Sequence, residues 1–107
     1  MKALIVSRPV LSDRILSELR KMGVDEFVDY FEHKKTWTSE KEILDVAQKT
    51  ECDSAVVIAN FRVANVLLAN GIKPVFVIMP VFATPIEIIK ADVYAIDGEV
   101  TIMHKRV

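Results

Sequence analysis

Cysteine occurs once in this chain of 107 residues, at Cys52. An internal disulfide and a cysteine-built zinc site are therefore excluded. Glycine is nearly as scarce, with only Gly23, Gly71 and Gly98. None of the three stands in a G-x-G-x-x-G or P-loop pattern, so the glycine-rich phosphate cradles are absent. The two histidines, His33 and His104, are far apart and lack companions at ligand spacing. That argues against a metal site and against Ser-His-Asp or Cys-His chemistry. Cys52 has no base nearby in the sequence and reads as inert. Neither sign of charge is in excess, with 14 basic and 15 acidic residues and a net charge of −1. The basic clusters, Lys34-Lys35 and His104-Lys105-Arg106 among them, are short. The electrostatic footprint of a nucleic-acid binder is missing. The longest apolar run, Val75 to Ala83, is about half of the roughly 20 residues that cross a bilayer as a helix. Met1-Lys2 leads straight into a strand-like run rather than a leader pattern. A reducing cytoplasm with no membrane partner is the expectation.

What is present is a globular composition, 51% apolar and 27% charged, at a length typical of one domain. Residues 2–6 form a short apolar run that reads as a strand buried on both faces. Pro9 suits the first turn of a following helix. Leu11, Ile15, Leu16, Leu19 and Met22 make that helix's apolar stripe, and Gly23 stops it. Phe27 to Phe31 reads as an edge strand, because Asp29 interrupts it and acids flank it. Ser39 and Glu42 match a capping box ahead of a helix with Ile43, Leu44, Val46 and Ala47 on its apolar side. Residues 54–59 are the clearest buried strand. Asn60-Phe61-Arg62 then opens a third helix that runs to Asn70-Gly71. Pro74 to Met79 is a further strand, and Thr84-Pro85-Ile86-Glu87 carries start signals for a short helix. Val93 to Ile96 and Val100 to Met103 flank Asp97-Gly98, a hairpin turn.

This alternation predicts a single α/β domain over residues 1–107, a doubly wound, mostly parallel sheet of flavodoxin-like architecture. The expected strand order is 2-1-3-4-5, with a last strand added antiparallel as a C-terminal hairpin. Ligands of such sheets bind beyond the carboxyl ends of the strands, where the strand order reverses. That point lies between the first and third strands and brings together Ser7, Arg8, Asn60 and Arg62. Between Ser54 and Ile86 only Arg62 and Lys73 are charged. Arg62 also sits in a first helical turn, which disfavours a cation. Arg8 and Arg62 are thus a candidate anion clamp, although Arg62 could equally point to solvent or pair with an acid. Asn60 suits both a ligand contact and the cap of the third helix. Trp37 reads as a lid over the edge of the core.

The third helix lacks a polar face, and Pro80-Val81-Phe82-Ala83 is an apolar loop. Together they suggest a self-association surface, most simply a homodimer. Other activities of this architecture lack their residues. Asp13 lies too far into its helix, and the third strand ends in Ala59-Asn60, so the acidic cluster of a phosphoryl-accepting receiver is missing. The loop Ser7-Arg8-Pro9-Val10-Leu11 is not the hydroxyl-rich phosphate loop of a flavodoxin. The expectation is a non-catalytic binding or regulatory module with no cofactor, recognising a small anionic ligand or a protein partner. The alternative is a small enzyme acting on a phosphorylated or carboxylated substrate at the same edge.

Overall fold

Along each central strand, successive side chains enter two different cores, and this alternation organises the molecule. A computed structural model describes residues 1–8, 10–80, 91–97 and 102–106, with the backbone alone for 80, 91 and 102–106. The elements are β1 (Lys2–Val6), α1 (Asp13–Lys21), β2 (Glu26–Asp29), α2 (Tyr30–His33), α3 (Glu40–Lys49), β3 (Ser54–Ile58), α4 (Phe61–Ala69), β4 (Val75–Pro80), β5 (Ala91–Ile96) and β6 (Ile102–Arg106). They form one sheet in the order β2-β1-β3-β4-β5-β6. The pairs β1/β2, β1/β3 and β3/β4 are parallel, in registers such as Ile5 opposite Val56 and Val57 opposite Val77. The α/β order 2-1-3-4-5 expected from the sequence is the one observed. β5 runs antiparallel to β4, with Ile78 opposite Val93, and β6 runs antiparallel to β5.

Leu4, Val6, Ala55, Val57, Val75 and Val77 pack with Tyr30, Ile43, Ala47, Val63 and Leu67 on the face covered by α2, α3 and α4. Their strand neighbours Ala3, Val56, Phe76, Ile78, Val93 and Ala95 pack with Ile15 and Leu19 of α1 on the other face. Burial on both faces is why β1, β3 and β4 read as continuous apolar runs. Ser54 is the only buried polar residue among those described. Its hydroxyl donates to the Lys2 carbonyl at 3.1 Å, which satisfies it.

Helix ends follow local chemistry. α1 starts at Asp13, later than a Pro9 start implies, because the Ser12 hydroxyl accepts the Ile15 N–H at 3.3 Å. Leu11 is buried ahead of the helix. The second strand is shorter than Phe27 to Phe31. The Asp29 carboxylate accepts the Phe31 N–H at 2.9 Å, which ends β2 and turns the chain into the single turn of α2. α1 and α4 both close on a glycine in the left-handed region, Gly23 (φ 106°) and Gly71 (φ 85°). The next residue then reaches back, Val24 to the Leu19 carbonyl and Ile72 to the Leu67 carbonyl. Among the described residues, no helix is long and apolar enough to cross a membrane. Pro9, the apolar loop 81–83, the helix opened by Thr84, the Gly98 turn and the side chains of His104-Lys105-Arg106 lie outside the described residues.

Candidate functional site

Two strand ends and one polar crossover meet at the carboxyl edge of the sheet. β1 leads into Ser7-Arg8, β3 leads into Ala59-Asn60, and the segment from α2 to α3 arches beside both. Ala59 has a φ of 49°. The left-handed conformation costs a non-glycine residue about 1–2 kcal/mol. It turns the chain abruptly enough that Asn60 both ends the sheet and begins α4. The Asn60 Oδ1 accepts the Val63 N–H at 3.1 Å, the cap that its residue type suggested.

The crossover is held by aromatic packing. Tyr30 is fully buried, and its hydroxyl donates to the Thr36 carbonyl at 2.9 Å. Burial, and secondarily the charge of Glu42, push the Tyr30 phenol above its ordinary value. Phe31 and Trp37 meet the Tyr30 ring edge-on, at centroid distances of 5.2 and 5.9 Å. Trp37, half-buried, does cover the edge of the core, as its position suggested. At the far end of the crossover, Glu42 accepts from the Thr38 N–H, from the Thr38 hydroxyl at 3.1 Å and from the Ser39 N–H at 3.3 Å. These bonds, led by the one from the Thr38 N–H, hold its carboxyl below the usual carboxylate range.

Arg8 lies across this platform. Its guanidinium sits 4.6 Å from the Phe31 ring centroid, and Nη2 donates to the Lys35 carbonyl at 3.2 Å. The stacking and the hydrogen bond fix a long side chain that would otherwise sample many rotamers. Between Arg8 and β3 lies a cleft of about 240 Å3. Its floor is Val6, Val57 and Ile58, its aromatic wall is Phe31 and Trp37, and its polar rim is Ser7, Arg8 and Asn60. On the other side of Arg8, Asp29 and Lys35 line a broader depression of about 390 Å3.

Of the four residues expected at this edge, Ser7, Arg8 and Asn60 surround the same cleft. Arg62 does not line it. It is exposed, and its Nε lies 3.3 Å from Glu40 Oε1 at the start of α3. An acid favoured at one helix N-terminus thus neutralises a cation disfavoured at another. Phe31 joins the site without a clear mark in the sequence. The clustering of Tyr30, Phe31 and Trp37 around a polar stretch was the only available signal.

Elsewhere, burial pushes the Cys52 thiol up, with Thr50 Oγ1 at 3.3 Å from its sulfur. A reactive cysteine needs the opposite shift. No cluster of three or more metal-ligating side chains exists among the described residues. One side of α4 is covered, with Val63, Ala64 and Leu67 buried, while Phe61, Arg62, Asn65 and Ala69 are exposed. Phe61 lines an apolar groove of about 290 Å3 with Met79, Tyr94 and Ile96.

Comparison with protein-family models, with curated proteins and with solved structures finds no match to this chain. What the cleft can do follows from its own chemistry: one fixed cation, hydroxyl and amide groups on the rim, and an apolar floor.

Proposed function

We propose that this protein is a non-catalytic binding module that takes a small anionic ligand at the carboxyl edge of β1 and β3, and that it works as a homodimer. The observation that carries the reading is the placement of Arg8. Its guanidinium is fixed by Phe31 and the Lys35 carbonyl beside a cleft that Ser7 and Asn60 also line. Preorganisation of this kind lowers the entropy cost of holding an anion. Among the described residues, the cleft rim offers a hydroxyl, a guanidinium and an amide, and no pair of carboxylates or histidines for acid–base work. The groove at Phe61, Met79, Tyr94 and Ile96 supports the dimer.

A thermal-shift screen of small carboxylates, phosphates and nucleotides tests the site. A ligand at ten times its Kd adds about 1.4 kcal/mol, or roughly 5–10 °C for a domain of this size. The shift is expected to vanish in Arg8→Ala and to persist in Arg62→Ala. No shift with any of these classes, in folded protein, overturns the reading. Sedimentation of the wild type and of Phe61→Asp tests the dimer. A wild type that sediments as a monomer at all concentrations removes it. Turnover of a bound ligand would instead support a small enzyme at the same cleft.

A further inference from the structure

Resting on the anion site proposed above, we infer that the ligand is a small amphipathic monoanion: a carboxylate on an aromatic or branched aliphatic body, rather than a phosphate or nucleotide. Three observations converge on that class.

The first is charge. A clamp of two arginines would suit a dianion or a phosphate, but Arg62 is tied to Glu40 and lies outside the cleft. Among the described residues, Arg8 is the only charged one in the lining. One step further out, Asp29 and Lys35 offset each other across the neighbouring depression. A triphosphate would set three or four negative charges against one cation in the cleft, with no net positive charge from Asp29 and Lys35 beside it.

The second is the apolar surface. Beneath the polar rim, Val6, Val57, Ile58 and the rings of Phe31 and Trp37 form the remainder of the cleft. A bare inorganic anion would leave the part-exposed Ile58, Phe31 and Trp37 facing water. A ligand with an apolar body removes them from water and gains accordingly.

The third is the combination of size and donors. A volume of about 240 Å3 suits a small ligand rather than a nucleotide, since sites for drug-sized ligands run from about 300 to 1,000 Å3. The rim is biased toward donors. Asn60 Oδ1 is engaged by the α4 cap, so what that side chain can offer a ligand is its NH2 group. Together with the Arg8 fork, it suits a carboxylate lying across the rim.

Trp37 is the only tryptophan and lines the cleft, so its fluorescence reports occupancy directly. The test titrates the wild type with phenylacetate, 4-methylpentanoate, the neutral isostere phenylacetamide, inorganic phosphate and ATP. Saturable changes are expected with the two carboxylates. Binding should be about ten- to a hundred-fold weaker with phenylacetamide and with Arg8→Ala titrated with phenylacetate, as for a lost hydrogen bond to a charged group. Circular dichroism checks the fold of Arg8→Ala. Should that variant fail to fold, the comparison of acid with amide on the wild type decides alone. Equal binding of acid and amide overturns the monoanion. Binding of phosphate or ATP without either carboxylate overturns the ligand class while leaving an anion site. Binding of none of the five overturns both this inference and the reading on which it rests.

Discussion

Two arginines follow neighbouring parallel strands at the same edge of the sheet, Arg8 in a loop and Arg62 in the first turn of α4, and they end in different environments. Arg8, after β1, finds an aromatic face and a backbone carbonyl from the crossover between α2 and α3. Arg62, after β3, finds the carboxylate of Glu40, and its side chain remains 88% exposed. Residue type is alike and both follow a central strand, so the difference comes from local structure and from what stands opposite. The cation above the aromatic ring borders the cleft with its charge available to a ligand, whereas Arg62 meets a carboxylate outside the cleft lining. Similar placement after neighbouring strands therefore does not imply an equivalent role.

The contrast can be broken from the β1 side by removing the platform under Arg8. Tyr30→Ala deletes a fully buried ring that Phe31 and Trp37 pack against. Stability is expected to fall by about 3–5 kcal/mol. The melting temperature should then drop by more than about 12 °C, read by calorimetry. A loss below about 1 kcal/mol would mean that the crossover is not anchored there. On the β3 side the corresponding anchor is a cap. Asn60→Ala leaves the Val63 N–H without its partner and is expected to cost about 1 kcal/mol in denaturant unfolding, with Asn60→Asp close to wild type in stability.

Acid sharpens the same contrast, because the β1-side crossover depends on an ionised group. Glu42 binds Thr38 and Ser39, next to Trp37, and its folded pKa lies below the ordinary 4.5. Its stabilising contribution is therefore complete above the unfolded pKa and is lost as pH falls through the lower folded value. Stability is expected to decline on acidification below about pH 4.5, and Glu42→Gln should flatten that decline. An unchanged slope in the variant would place the acid sensitivity elsewhere. The smallest effect belongs to the exposed pair. Arg62→Ala should shift stability by less than about 0.5 kcal/mol in chemical denaturation, since exposed ion pairs contribute little.

Sequence reasoning carried far where the physics is local or periodic. The apolar runs at 2–6 and 54–59 identified central strands, because burial on both sheet faces leaves no room for alternation. Ser39 with Glu42, and Asn60 ahead of α4, identified helix starts because capping is chemistry between residues a few positions apart. It carried less far at 29–31. The β-forming side chains there suggest a strand, but a single Asp29 bond to the Phe31 N–H turns the chain into a helix. The direction of β5 was not legible either, since the choice between parallel and antiparallel pairing depends on the path of the connection in space.

The candidate site divides along the same line. By itself the sequence determined that the chain folds as an α/β layer, that its carboxyl edge lies at Ser7-Arg8 and Asn60, and that the familiar phosphate loops and acidic clusters are missing. Those are matters of residue type, spacing and near neighbours. Only the tertiary structure decided that Arg8 stacks on Phe31, that Glu40 takes Arg62, and that Val6, Val57 and Trp37 close one apolar cleft between them. Each of these contacts joins residues well separated along the chain. Their distances are set by packing the crossover and helices against the sheet, and no local pattern encodes that.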